Sequence, residues 1–269
     1  MANYDKLSTV VSVILLCLAL SLMVVLPTGT FSFVVRGSPL AIRLSLNWLP
    51  AVLLVSMACV GTASIVYLHP LQQGGKLAHT FVFWILPSLA TLLAVIILPR
   101  APNRIYTLGG LAMIGILLPL IITAEYRTLD PAVPGYRATR LGLNFIAYLI
   151  ALVLFALIQE SKAPGLLMAT AALVGSGLLA LDLLHPAQQG FRRTSLYALI
   201  VGLVIGEVAW VMSYLRMHSL TVGVFLLLVF YLLAGLARQG LLESLSRQIL
   251  IEFAVVALIG LALLLRYAP

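Results

Sequence analysis

Two six-residue phrases hold many of the side chains here that could bind a ligand: HPLQQG at 69–74 and HPAQQG at 185–190. Each offers one imidazole, His69 or His185, and two adjacent amides, Gln72 and Gln73 or Gln188 and Gln189. Imidazole titrates near neutral pH and ligates metals, while amides both donate and accept hydrogen bonds. Asp182 lies three residues before His185, which on a helix puts both on one face. If the two phrases face each other, with His79, Glu125 and Glu252 on the same side, the set could hold a divalent metal, a phosphate-bearing lipid or a haem edge. A purely structural reading stands beside this one. Proline lacks an N–H and restricts its predecessor, so His-Pro stops a helix and the amides then cover free carbonyls. No H-E-x-x-H or comparable metal motif occurs, so no cofactor is assigned.

Glu207, in VIGEVAWVM, sits near the middle of an apolar run. An ionised side chain there costs at least about 2.5–3.5 kcal/mol on insertion scales. It is therefore expected to face the interior of a helix bundle, near Asn144, Ser176 or Thr91. There it is either a proton-linked or ligand-binding group or a neutral acid hydrogen-bonded to a neighbouring helix.

The elements that carry these residues follow from composition. Hydrophobic residues make up 62% of the 269 and charged residues 9%, against about a quarter charged in soluble domains. This is the composition of a bilayer protein. Sixteen Lys and Arg outnumber eight Asp and Glu, but they stand singly between apolar runs. They read as interfacial anchors and topology signals rather than a nucleic-acid surface. Cys17 and Cys59 lie inside apolar runs without C-x-x-C spacing and read as packing residues.

Nine runs are long enough to cross a bilayer: 9–26, 46–68, 80–98, 107–124, 141–158, 164–184, 195–215, 220–237 and 248–265. The first reads as a retained span rather than a cleaved signal peptide. PTGTFSFVVRGSPLAIRLS, which follows it, suits a short extended or interfacial segment. EYRTLDPAVPGYRATR, at 125–140, carries five charges and reads as a solvated linker. Pro87 is expected to kink the third span.

Shifting the chain by 116 residues (185 minus 69) superposes the two HPxQQG phrases and also pairs Gly61 with Gly177, Lys76 with Arg192 and Arg100 with Arg216. The expected fold is all-α integral membrane with about nine transmembrane helices. It divides into parallel four-helix repeats at 1–124 and 141–240, a polar linker at 125–140 and an additional C-terminal helix within 241–269. An even number of spans per repeat puts the pseudo-twofold axis along the membrane normal. The HPxQQG turns and RQGLLESLSRQILIEF, which leads into the last span, resemble uncharacterised bacterial multi-pass membrane families. That resemblance brings no activity with it.

The side of the N-terminus collects nine Lys and Arg: Lys6, Lys76, Arg127, Arg137, Arg140, Arg192, Arg193, Arg238 and Arg247. The other side collects seven, an excess that favours a cytoplasmic N-terminus in a cell (inner) membrane. No P-loop, G-x-S-x-G or D-x-x-x-D motif is present. The favoured function is non-enzymatic binding or transport of a small molecule or lipid between the two four-helix units. The alternatives are a structural or assembly subunit of a larger membrane complex, whose partners would be other membrane subunits, and an enzyme acting on lipid headgroups.

Overall fold

Hydrocarbon offers no water to a free N–H or carbonyl, so a chain this apolar must close its backbone hydrogen bonds within each crossing segment. The helix is the local solution, and it is what most of the chain adopts. The computed structural model describes residues 4–23, 28–35, 38–45, 48–67, 77–129, 135–185, 190–215 and 217–242. Within them run α1 (Tyr4–Met23), α2 (Trp48–Val66), α3 (Ile85–Ile97), α4 (Arg104–Arg127), α5 (Tyr136–Glu160), α6 (Gly165–Leu184), α7 (Phe191–Ser213) and α8 (Ser219–Leu241). Counting the 3-10 turns that flank α3, each of the eight supplies an apolar stretch of 18 to 25 residues, which matches a hydrocarbon core of about 30 Å. Many large apolar side chains remain exposed, Leu16, Val52, Ile116, Phe145 and Leu199 among them. Helices apolar on their outer faces as well as their inner ones belong in lipid. The protein is a multi-pass membrane protein. The ninth apolar run, 248–265, lies outside the described residues.

Between α1 and α2, β1 (Thr28–Val35) and β2 (Ser38–Ser45) pair antiparallel, with Thr28 opposite Ser45 and Val35 opposite Ser38. The extended segment expected there is a hairpin. Two other local features qualify the sequence reading. Pro87 stands just past the point where a 3-10 segment, Leu77–Trp84, gives way to α3, as the third residue of the α-helix. The stretch 125–140 is also less open than its composition suggests. Residue Glu125 belongs to α4 and is fully buried, while Arg140 belongs to α5 and is 8% exposed.

The chain forms two compact units, Met1–Tyr136 and Arg137–Pro269. In the first, α3 packs against α2 and α4, and α1 packs against α2 and α4. Buried hydroxyls here turn back on their own helices: Thr62 donates to the Ala58 carbonyl at 2.7 Å and Thr91 to that of Pro87 at 2.8 Å.

In the second unit the closest pairing is α6 with α7, and glycine makes it possible. A Cβ on Gly202 would stand 2.7 Å from the Leu173 carbonyl oxygen and 3.1 Å from the Gly177 Cα. One turn on, a Cβ on Gly206 would stand 3.0 Å from the Ala169 oxygen. Gly202 and Gly206 form the G-x-x-x-G spacing that lets membrane helices touch backbone to backbone. Helix α8 packs on α7 and α6, and α5 meets α8 through Phe155 and Phe230, both fully buried with ring centroids 5.9 Å apart.

Gly202→Ala is expected to lower stability by about 1–3 kcal/mol, the cost of overpacking against rigid backbone. Gly142→Ala, where a Cβ meets nothing within 4 Å, is expected to be neutral or stabilising by up to about 1 kcal/mol. Thermal unfolding of the detergent-solubilised protein reads both. Equal midpoints for Gly202→Ala and wild type would rule out the backbone contact.

Candidate functional site

The alternating direction of four consecutive helices brings the start of α5, the end of α6, the start of α7 and the end of α8 to one side of the second unit. Arg137, Arg140, Arg192, Arg193 and Arg238 all lie at these helix ends, and the acid among the described residues there is Asp182. Four of the arginines are exposed, and Arg140 is buried.

Arg140 is buried because α6 needs it. An α-helical carbonyl accepts from the N–H four residues on, and four residues after Asp182 stands Pro186, which has none. The Asp182 carbonyl is thereby left inside the protein without its helical partner. The Arg140 guanidinium donates to it through Nη2. The same nitrogen stands 4.0 Å from the Asp182 carboxylate, which is 1% exposed. One side chain thus serves a backbone acceptor and compensates a buried charge. Arg140 Nε and Asp182 Oδ2 make no hydrogen bond among the described residues. The pair is charge-compensated but retains hydrogen-bonding capacity.

One turn along α5 from Arg140, Asn144 lines a cleft of about 180 Å³, together with Tyr148, Leu183, Tyr231, Arg238 and Gln239. Tyr148 and Tyr231 lie with ring centroids 5.6 Å apart at 60°. Arg238 is close enough to act electrostatically on Tyr148 and stands exposed in the last turn of α8. The Asn144 Oδ1 is buried without a hydrogen-bond partner among the described residues. The cleft therefore joins a cationic fork, amides and phenol hydroxyls to apolar walls formed by Leu183 and Ala234. That combination suits an oxyanion attached to an apolar body.

A second cavity of about 500 Å³ opens at the opposite end of this unit, lined by Gln159, Lys162, Ser213, Met217 and Ser219 among others. Lys162 there has φ +47°, a left-handed conformation uncommon outside glycine. Phe155 and Phe230 fill the α5–α8 seam between the two cavities.

The residues singled out from sequence fare unequally. His69, Gln72, Gln73, Gln188 and Gln189 lie outside the described residues, as does Glu252. Asp182 is in place on the polar end of α6, and His185 follows it as the half-buried C-cap, its N–H donating to the Leu181 carbonyl. Glu207 departs from expectation: it is exposed on the outward face of α7 rather than turned into its bundle. Gly202 and Gly206 take the inward face of α7, because only they allow the close approach to α6. Glu207, one residue past Gly206, is carried to the other side. The hydroxyl proposed to accompany it on α6 is otherwise engaged, since Ser176 donates to the Ala172 carbonyl at 2.6 Å. Among the described residues no three His, Cys, Asp or Glu side chains come together as a metal site.

Sequence reading missed Arg140, Tyr148, Tyr231, Arg238 and Gln239 as site residues. A signal was present on α5, where Arg140, Asn144 and Tyr148 recur every four residues along one face of an otherwise apolar helix.

Arg140→Ala is expected to cost about 3–5 kcal/mol, because it strands a buried carboxylate. The double variant Arg140→Met/Asp182→Leu is expected to regain much of that charge-related loss. Thermal midpoints of both variants measure it, and a single variant as stable as wild type would remove the pair from the folding energetics. No curated protein and no solved structure matches the chain. Residues 26–267, spanning all but the first of the eight described helices, match one family described as protein of unknown function, and the chain belongs to that family, DUF5656.

Proposed function

We propose that this membrane protein binds an oxyanion-bearing amphiphile, such as a phosphate-headed lipid, in the cleft of its second unit. The observation that carries the reading is the convergence of Arg238, Gln239, Asn144 and the Tyr148–Tyr231 pair on one cleft of about 180 Å³. Among the described residues, five arginines against one acid at that end add a long-range attraction for anions. By the positive-inside tendency this end faces the cytoplasm, where anionic headgroups are abundant.

Binding fits the geometry better than passage through the unit. The packed, fully buried rings of Phe155 and Phe230 fill the α5–α8 seam. The buried Arg140–Asp182 contact ties the end of α6, which carries Leu183, to the start of α5, which carries Asn144. This reading rests on the groups of the cleft that can hold an anion, Arg238, Gln239, Asn144 and the two tyrosines.

Native mass spectrometry of the protein in mild detergent, titrated with phosphatidylglycerol, phosphatidylcholine or inorganic phosphate, tests this. Wild type is expected to retain phosphatidylglycerol over phosphatidylcholine, and Arg238→Ala to weaken that retention about tenfold, the worth of one charge-assisted contact. Competition by inorganic phosphate alone would place recognition in the headgroup. Equal retention by wild type and Arg238→Ala would sink the assignment of the cleft.

A further inference from the structure

The cavity of about 500 Å³ at the other end of the second unit shares no lining residue with the cleft. It opens where the α5–α6 turn meets the end of α7 and the start of α8. The turn and α7 are in close contact there, since a Cβ on Gly165 would stand 2.9 Å from the Ser213 Oγ. The wall carries the polar side chains of Gln159, Lys162, Ser213 and Ser219. Part of their hydrogen-bonding capacity is already engaged: Ser213 donates to the Trp210 carbonyl at 2.6 Å, and Gln159 Nε2 reaches the Ala209 carbonyl at 3.5 Å. The Lys162 ammonium, the second Gln159 N–H and the Ser219 hydroxyl remain as donors to an occupant.

That donor set has no counter-charge of its own. Among the described residues no acid lines the cavity and Lys162 forms no ion pair. Glu160, two residues before it, is exposed and stands outside the lining. The rest of the chain does not supply the charge either. By the order of spans, seven Lys and Arg but one acid, Glu160, belong to this side of the membrane. Asp5, Glu125, Asp130, Asp182, Glu243 and Glu252 belong to the other, and Glu207 lies within α7. The apolar run 248–265 carries its one acid, Glu252, near its start and continues without a charge to Arg266. The backbone adds a second sign. Lys162 holds φ +47°, a conformation that glycine adopts without steric conflict and lysine does not. A turn with only a reversal to make is better served by glycine, whereas lysine keeps a cation at the cavity despite the strain.

We propose that this cavity binds an oxyanion, a phosphate or a carboxylate, with Lys162 as its counter-charge and Ser219 and Gln159 as its donors. Its volume lies within the range of small-molecule sites, about 300–1,000 Å³. Met168 and Met217 in its wall are unbranched and adapt to irregular shapes, so the anion has room for a short apolar body. The site is independent of the cleft, and either can fail without the other.

The chain has three lysines, Lys6, Lys76 and Lys162, so acylation by an amine-reactive ester, read peptide by peptide, reports on the site directly. The full chain is used in mild detergent with Arg238→Ala as background, which removes the cation of the cleft. Inorganic phosphate or dioctanoyl phosphatidic acid is expected to slow acylation of Lys162 saturably and to leave Lys6 unchanged, while neutral dioctanoylglycerol has no effect. Protection by inorganic phosphate makes a free anion sufficient; protection by the phosphatidic acid alone assigns the site to a lipid headgroup. Binding of the protecting anion, read by native mass spectrometry, is expected to fall about tenfold in Lys162→Gly and to survive in Lys162→Arg. The thermal midpoint of Lys162→Gly is expected to be no lower than that of its background, because glycine relieves the left-handed backbone, which separates lost binding from misfolding. Absence of protection by both anions, equal protection by dioctanoylglycerol, or undiminished binding in Lys162→Gly would each overturn the proposal.

Discussion

Inside a bilayer a backbone carbonyl cannot fall back on water, and one such carbonyl organises the polar end of the second unit. Pro186 withholds the N–H that Asp182 would normally accept, so the last turn of α6 is incomplete by its own sequence. Arg140 completes it from the start of α5, and in doing so ties together two helices that run in opposite directions. The buried carboxylate of Asp182 gives that guanidinium a reason to stay. An ion pair in a low-dielectric setting is a costly device if stability alone is counted. Here it also satisfies a backbone group, which an apolar pair could not do.

The same constraint explains why the remaining polar atoms are informative. Thr62, Thr91 and Ser176 are all buried, and all spend their hydroxyls on carbonyls four residues earlier in their own helices. They solve a local problem and have no proton left to offer. Against that background Asn144, with its Oδ1 facing no protein donor among the described residues, stands at the wall of a cleft rather than within a helix contact. Glycine packing acts on the opposite face of the unit. By drawing the backbone of α7 onto α6 at Gly177, Gly202 and Gly206, it commits the inward side of α7 to close packing and sends Glu207 outward.

The cleft and the buried ion pair both belong to the second unit. Under the 116-residue shift that superposes the two HPxQQG phrases, Asp182 falls on Val66, Arg140 on Val24 and Glu207 on Thr91. The residues of the buried ion pair and the glutamate of α7 therefore have no like residue at the shifted positions of the first half.

Membrane residence and the approximate ends of eight helices could be read from sequence, because hydropathy is a sum of local terms and the bilayer fixes the length. The glycine spacing on α7 was legible too. Which way each helix turns was not. In a soluble protein the polar face marks the outside, but these helices are apolar all round, so periodicity carries little record of which side meets lipid and which meets protein. That is why Glu207 was expected inside its bundle and stands outside it, and why Arg140, counted only as a charge in a loop, is buried beneath a helix end. Those assignments depend on where one backbone approaches another, at Gly202 against Leu173 and at Arg140 against Asp182, and contacts between residues tens of positions apart are decided only when the helices pack.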